Sequence, residues 1–123
     1  MTTKEISAGR PILRPRFRIT RGTKIAFGPG KADLLEGIAK TGSIGAAAAR
    51  MGMSYMRAWS LIQEMNQCFK PPVVASARGG QQHGGAALTP AGRRVLALYR
   101  RMERHSLKTI RADWRILQKL LRD

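Results

Sequence analysis

The 123-residue sequence predicts a mainly α-helical fold, a winged helix-turn-helix with a small β-hairpin wing and a long C-terminal helix. Three observations predict it: two helical patterns separated by a glycine at residues 43–68, a glycine-rich stretch at 78–85, and a final segment without a helix breaker. We divide the chain into a flexible basic arm (1–13), the winged helix-turn-helix (14–89) and the long helix (90–123).

In the segment before the central motif, apolar and polar residues first alternate as in a strand and then follow a helical pattern. Phe17 and Ile19 share one face of a short strand or small hairpin between residues 14 and 27. Residues 28–30, Gly-Pro-Gly, interrupt this pattern, and a helix is predicted over residues 31–40. The residues expected to point inward from that helix are Leu34, Leu35 and Ile38.

The first helix of the central motif is short and has one apolar face. Ser43 can cap it, and apolar residues recur at i, i+3, i+4 and i+7 from Ile44 to Met51. Gly52 can adopt the positive φ at which the chain turns. The small residues at 46–49 allow a second helix to cross closely, as a helix-turn-helix requires. An ordinary helical bundle is the alternative interpretation of this pattern.

The second helix is predicted to start after the capping residue Ser54 and to end before Pro71-Pro72. Trp59 is assigned to the core, because groove-reading residues seldom lie so deep in a helix. Arg57 could bind guanine in bidentate fashion, and Met56 could pack on a thymine methyl. The apolar face is expected to contain Tyr55, Ala58, Ile62, Met65 and Phe69. The candidate DNA contacts of this helix are Ser54, Tyr55, Met56, Arg57 and Ser60, with core packing as the alternative for Tyr55. Ser43 and Arg50 are candidate phosphate contacts of the first helix.

A hairpin wing is predicted directly after this helix. Strands are expected at residues 73–77 and 86–88, on either side of the glycine-rich tip. A nucleotide-binding P-loop is excluded because no Lys-Ser or Lys-Thr follows the glycines. The alternative to a DNA-contacting wing is a flexible hairpin that makes no contact with DNA. The candidate backbone contacts of the wing are Arg78, Gly79, Gly80, Gln81, Gln82 and His83.

The last helix is predicted to be unusually long. Thr89 can cap it and Pro90 suits its first position, so that it could run for about 30 residues or about 45 Å. Such a helix exceeds what an 80-residue core covers, and its apolar stripe favours pairing in a homodimer. The alternative is that the stripe folds back onto the first helix of the same chain. The candidate dimerisation residues are Leu96, Tyr99, Met102, Leu107, Ile110, Trp114, Leu117 and Leu121.

The charge of the chain points to a polyanionic partner. Lys and Arg number 23 against 7 Asp and Glu, a formal net charge of +16. The excess is concentrated in residues 1–31 and 91–123, outside the central motif. Double-stranded DNA is the densest polyanion available, so it is the expected partner. The alternative is that solvated helix faces and a terminal arm simply happen to be cationic.

Several classes of protein are disfavoured by composition. No run of eighteen apolar residues predicts a membrane span, and the N-terminus lacks the apolar region of a signal peptide. Cys68 is alone, which excludes an internal disulfide and suits the cytoplasm; we interpret it as a small packing residue rather than a sensor thiol. His83, His105 and the seven acids form no catalytic or metal-binding constellation. We expect no enzymatic activity, no metal and no cofactor.

Two segments carry a resemblance to a known family. Residues 28–66 (GPGKADLLEGIAKTGSIGAAAARMGMSYMRAWSLIQEMN) and 79–99 (GGQQHGGAALTPAGRRVLALY) resemble the N-terminal winged-helix domain of molybdate-responsive, ModE-type transcriptional regulators. The resemblance covers roughly residues 17–105. It implies a dimeric bacterial DNA-binding regulator, with a recognition role for the helix that starts at Ser54 and a backbone role for the wing.

The sequence departs from that family in two respects. It ends before the molybdate-binding domains of full-length regulators, so molybdate sensing is not carried over, and an unidentified effector or partner protein stays possible. The wing tip has Gln81, Gln82 and His83 where more lysine is expected.

The leading hypothesis is a sequence-specific regulator that acts as a homodimer. The alternative is an architectural, nucleoid-type protein with low sequence specificity.

Overall fold

A computed structural model describes residues 9–77 and 85–122 of the chain. Within these residues, two antiparallel hairpins and five helices follow one another. In chain order they are β1 (Ile19–Arg21), β2 (Lys24–Phe27), α1 (Pro29–Thr41), α2 (Ile44–Arg50), α3 (Tyr55–Cys68), β3 (Val74–Ser76), β4 (Ala86–Leu88), α4 (Pro90–Thr109) and α5 (Arg111–Lys119). The predicted winged helix-turn-helix class is confirmed.

Three hydroxyl caps fix where the helices begin. The Ser43 hydroxyl accepts the Ala46 N–H at 3.1 Å, and the Ser54 hydroxyl accepts the Arg57 N–H at 3.1 Å. The Thr89 hydroxyl accepts the Gly92 N–H at 2.9 Å. Such caps satisfy backbone donors that a helix end leaves unpaired, and each is typically worth about 1 kcal/mol.

The turn from α1 into α2 depends on Gly42, which closes α1. Gly42 has φ of 70°, and its N–H donates to the Ile38 carbonyl at 2.8 Å. A residue with a Cβ is strained in this left-handed conformation, so glycine is the suitable residue here. The sharp turn brings the Ser43 cap directly after α1, as the sequence predicts.

The core is built around α1, which packs against α2, α3, α4 and both hairpins. Leu34, Leu35 and Ile38 are completely buried, which confirms the inward face predicted for this helix. The Phe27 ring at the end of β2 contacts the ring of Phe69 edge-on, with centroids 5.9 Å apart. Other buried core residues from the helix-turn-helix are Ala47, Ala48, Ala58, Ile62 and Met65.

Arg100 joins the long helix α4 to α1. Its guanidinium donates to the Asp33 carboxylate at 2.8 Å and to the Glu103 carboxylate at 3.0 Å. Burial alone lowers the pKa of Arg100, but these hydrogen bonds to Asp33 and Glu103 raise it above its ordinary value. Arg100 is therefore a permanent cation. Its bond to Asp33 connects α4 to α1, while Glu103, which lies on α4 itself, orients the guanidinium.

The C-terminal helix is not continuous, contrary to the prediction from the sequence. α4 ends at Thr109 and α5 begins at Arg111, with Ile110 at φ −96° and ψ 9° between them. The Thr109 hydroxyl donates to the His105 carbonyl at 2.9 Å, a bond that competes with the helical ladder. Two β-branched residues in succession further lower helix propensity. The chain therefore breaks its helix without glycine or proline.

Tyr99 corrects the predicted dimerisation stripe. It is only 2% exposed, and its ring lies edge-on to Phe27 with centroids 5.0 Å apart. Its hydroxyl donates to the Phe17 carbonyl at 2.7 Å. Leu96 is partly buried against the same core. The upstream part of the stripe, Leu96 and Tyr99, thus packs inside the monomer, and the Tyr99 ring is not available to a partner.

We expect Tyr99→Phe to destabilise the protein by about 0.5–1.5 kcal/mol at neutral pH, because the hydrogen bond to Phe17 is lost. Burial raises the pKa of the Tyr99 hydroxyl above its ordinary value. The folded state therefore favours the neutral phenol. This contribution is complete below pH about 10 and is lost as the pH rises through the raised folded pKa.

Urea unfolding of wild type and Tyr99→Phe at neutral pH and at pH about 11 tests this expectation. The difference in unfolding free energy between the two proteins should shrink or reverse at the higher pH. An unchanged difference at both pH values would contradict it.

Candidate nucleic-acid interface

The helix α3 presents one face to the core and the opposite face to solvent. Ala58, Ile62 and Met65 are buried, while Met56 is 66% exposed and Ser60 is exposed. At 100° per residue, Met56 and Ser60 lie across the helix from Ala58. Two of the predicted groove-reading residues therefore occupy the centre of the outward face.

The other predicted residues at the start of α3 lie around this face. The Ser54 hydroxyl caps the helix, so one of its lone pairs is used internally. Arg57 is exposed on the flank that faces the N-terminal hairpin. Tyr55 is half exposed on the flank that faces the wing. Core packing, the alternative role considered for Tyr55, does not apply.

Trp59 does not lie in the core, which corrects its assignment from the sequence. It is 43% exposed and lines an open cleft of about 160 Å³ between α3 and the base of the wing, together with Tyr55 and Asn66. The physical reason is helical geometry, since Trp59 is rotated 100° from the buried Ala58. An aromatic pair therefore borders the outward face of α3 on its wing side.

Asn66 holds the wing against α3, a role that the sequence pattern did not reveal. Its amide oxygen accepts the Val73 N–H at 2.8 Å and the Val74 N–H at 3.3 Å, and its amide nitrogen donates to the Val74 carbonyl at 3.2 Å. These bonds join the second half of α3 to the start of β3. They set the distance between the outward face of α3 and the base of the wing.

The base of the wing is a two-stranded ladder. β3 pairs with β4 in antiparallel register, Val74 opposite Leu88 and Ser76 opposite Ala86. The Ala86 N–H donates to the Gly42 carbonyl at 3.0 Å, so the wing is also attached to the junction of α1 and α2. The predicted tip contacts Arg78, Gly79, Gly80, Gln81, Gln82 and His83 lie outside the described residues.

Lys31 is a buried cation for which the sequence predicts no role. It is 6% exposed, and its ammonium donates to the Ile25 carbonyl and to the Glu64 carboxylate, the latter at 3.0 Å. The pair connects α1 with β2 and α3. Because the partners are separated by 33 residues, no local pattern could have identified them.

Ser43 and Arg50, the predicted phosphate contacts of α2, do not lie together. Ser43 caps the N-terminal end, and Arg50 is exposed in the last turn. The seven residues of α2 span about 10 Å at 1.5 Å per residue. They could therefore serve separate phosphates but not a single one.

The predicted dimerisation residues beyond Tyr99 fall into two groups. Leu107 and Trp114 are partly buried and line a cleft with residues 11–13. The residues with an exposed apolar side chain are Met102, Ile110, Leu117 and Leu121.

Two further properties concern the described part of the chain. No helix within it is long and apolar enough to cross a membrane. Among residues 9–77 and 85–122, no three His, Cys, Asp or Glu side chains gather in a way that could hold a metal ion.

Comparison with known proteins gives one matching family. Residues 31–93 match the model of bacterial regulatory helix-turn-helix proteins of the lysR family, about half of the chain. This range starts at Lys31 in α1 and ends at Arg93 in the first turn of α4. It includes the helix-turn-helix, the wing and the start of the long helix.

Individual relatives are described as molybdenum-related proteins and regulators. The chain is 46% identical to the molybdenum-pterin-binding protein MopB of Rhodobacter capsulatus over 81 residues, 66% of this chain and 30% of that protein. It is 46% identical to the molybdenum transport protein ModE of Azotobacter vinelandii over 98 residues, 80% and 36% of the two chains. It is 43% identical to the DNA-binding transcriptional dual regulator ModE of Escherichia coli K12 over 76 residues, 62% and 29%. The chain thus spans about a third of the length of these relatives.

Proposed function

Because the chain belongs to the bacterial regulatory helix-turn-helix proteins of the lysR family and resembles the N-terminal domain of ModE-type proteins, we propose that it binds double-stranded DNA and regulates transcription. The recognition helix α3 enters the major groove, and the wing lies on the sugar-phosphate backbone. The net charge of +16 supplies the electrostatic attraction.

The outward face of α3 carries this proposal. Met56 and Ser60 are exposed at the N-terminal half of the helix, where groove-reading residues lie, while Ala58 and Ile62 anchor the opposite face in the core. A helix that is packed into the core on one side and exposed on the other can enter the major groove without any change in the fold of the domain. Arg57 and the aromatic pair Tyr55 and Trp59 flank this face.

We propose further that two copies act together through the C-terminal helices. Met102, Ile110, Leu117 and Leu121 expose apolar side chains in the single chain. A second copy is the simplest partner for such a stripe, and two-fold symmetry then presents two recognition helices to adjacent turns of the duplex.

Selection of bound fragments from random duplex DNA tests the function directly. Purified protein at stated salt should enrich a two-fold symmetric motif with half-sites about 34 Å apart. Its affinity for that motif should exceed its affinity for random DNA by about 10³ or more. Absence of any enriched motif, together with equal affinity for all duplexes, would instead favour the architectural alternative.

We expect Arg57→Ala to weaken binding to the selected motif by about 1–3 kcal/mol and to relax preference at one base position. The reason is that Arg57 lies in the first turn of α3, where a guanidinium can reach guanine O6 and N7. Binding to random DNA should change much less. Titration of the selected motif and of random DNA with the variant measures the ratio of the two affinities.

Arg50→Ala is the matched control for this prediction. Arg50 is exposed at the end of α2 and is proposed to contact phosphate. Its loss should therefore weaken binding to the selected motif and to random DNA equally. If Arg57→Ala behaved like Arg50→Ala, base recognition by Arg57 would be rejected.

A further inference from the structure

A basic cleft lies on the flank of α3 opposite the wing. It is open to solvent, has a volume of about 360 Å³ and is bounded by the N-terminal segment, the start of α1 and the flank of α3 that carries Arg57, Leu61 and Glu64. Its charged lining residues are Arg16, Arg18, Lys31, Arg57 and Glu64. Four cations thus face one carboxylate.

Among the described residues that line this cleft, the single carboxylate is already neutralised. Glu64 accepts the Lys31 ammonium at 3.0 Å, and Lys31 is buried while the three arginines are exposed. The charges left for a ligand are therefore those of Arg16, Arg18 and Arg57. Their side of the cleft is continuous with the first turn of the recognition helix.

The two N-terminal arginines are held in place by the core. The residue between them, Phe17, has its carbonyl bound by the buried Tyr99 hydroxyl at 2.7 Å. The stem of Arg18 crosses Gly28, where an added Cβ would lie 3.3 Å from its Cγ and 3.6 Å from the Phe17 carbonyl oxygen. The backbone that carries both arginines is thus fixed at its centre, although neither belongs to a helix or strand.

We propose that Arg16 and Arg18 form a phosphate clamp, which binds the DNA strand bordering the major groove on the side of α3 opposite the wing. The guanidinium fork matches phosphate oxygens in bidentate geometry, and a guanidinium is more weakly hydrated than an ammonium, so less hydration is lost when it binds phosphate. The wing and the clamp then contact the backbone on the two sides of one recognition helix. This inference rests on the proposed function, because it places the clamp beside a helix that occupies the groove.

The test uses the full chain and the salt dependence of duplex binding. The logarithm of the binding constant falls linearly with the logarithm of the salt concentration, with a slope of about −0.9 for each phosphate contact. Loss of two contacts therefore reduces the steepness of this slope by about 1.8 per bound protomer. We expect this reduction for Arg16→Ala/Arg18→Ala on both the selected motif and random DNA, with the ratio of the two affinities unchanged.

Two further variants control for charge and folding. Arg101→Ala/Arg115→Ala removes the same charge from exposed positions of α4 and α5 outside the cleft, and it should leave the slope close to that of wild type. Arg16→Lys/Arg18→Lys keeps both charges and should restore the wild-type slope. Circular dichroism of each variant verifies that it is folded.

The outcomes separate the clamp from the wider proposal. If the salt dependence of binding is equally steep for Arg16→Ala/Arg18→Ala and for the control Arg101→Ala/Arg115→Ala, the clamp is overturned. This holds whatever the sequence specificity of the wild type. If wild type binds all duplexes equally while the Arg16→Ala/Arg18→Ala slope still falls by about 1.8, the clamp stands and specific regulation fails. Absence of duplex binding by wild type would overturn both.

Discussion

Replacing Gly92 by alanine is expected to destabilise the protein by about 3 kcal/mol or more, which is a large part of the total stability of a domain of this size. A Cβ at Gly92 would lie 2.0 Å from the Val73 carbonyl oxygen and 2.9 Å from its carbon. Both are backbone atoms, and the oxygen is held by the Thr89 N–H at 3.0 Å. Nothing at this contact can rotate away, so α4 must separate from the wing base.

Gly30→Ala is the matched control for this prediction. Gly30 lies in the first turn of α1, and an added Cβ there meets no described atom within 4 Å other than its chain neighbours and the backbone of its own helix. Alanine should stabilise the protein by about 0.4–1 kcal/mol, since it restricts the unfolded chain. Urea unfolding curves of the two variants measure the difference. A Gly92→Ala variant as stable as wild type would mean that α4 and the backbone of Val73 do not pack as closely as described.

Introducing two glutamates in the exposed stripe, Leu117→Glu/Leu121→Glu, is expected to leave a folded monomer that binds the selected motif about 10²–10⁴-fold more weakly. Both leucines are about half exposed in the single chain, so the core loses nothing. In a dimer the two charges would be buried without partners, which is strongly unfavourable. Sedimentation equilibrium and titration of a two-half-site duplex measure the two effects.

The control for this variant places glutamates on the opposite side of α5. Ala112 and Lys119 lie across the helix from Leu117 at 100° per residue, and both are exposed. Ala112→Glu/Lys119→Glu should therefore remain a dimer. If the Leu117→Glu/Leu121→Glu protein also sediments as a dimer, the interface lies elsewhere on the molecule.

Features determined by local chemistry could be predicted from the sequence. The caps Ser43, Ser54 and Thr89 and the inward face of α1 all depend on residues within one or two helical turns. The end of the long helix at Thr109 could not be predicted, because two β-branched residues are only a weak signal against an uninterrupted helical pattern.

Features determined by contacts between distant elements were missed or misassigned. Tyr99 fits the apolar stripe of α4, but its burial depends on Phe27, which comes from a separate hairpin. Lys31 and Asn66 are single polar residues whose partners become apparent only when helices and strands meet. For the recognition surface, the sequence located Met56 and Ser60 on the outward face of α3 but placed Trp59 inside. The contacts that these residues make with DNA stay predictions.

The three hydrogen bonds of Asn66 have a consequence for the DNA rather than for the protein. In the proposed complex, the wing base is fixed to α3, so the protein sets the distance between its contacts in the groove and its contacts on the backbone. A duplex whose groove does not match this distance would have to bend or narrow its groove in order to bind. Stiff and flexible base steps differ in the cost of that distortion, so discrimination between operators would extend to base pairs that no side chain touches.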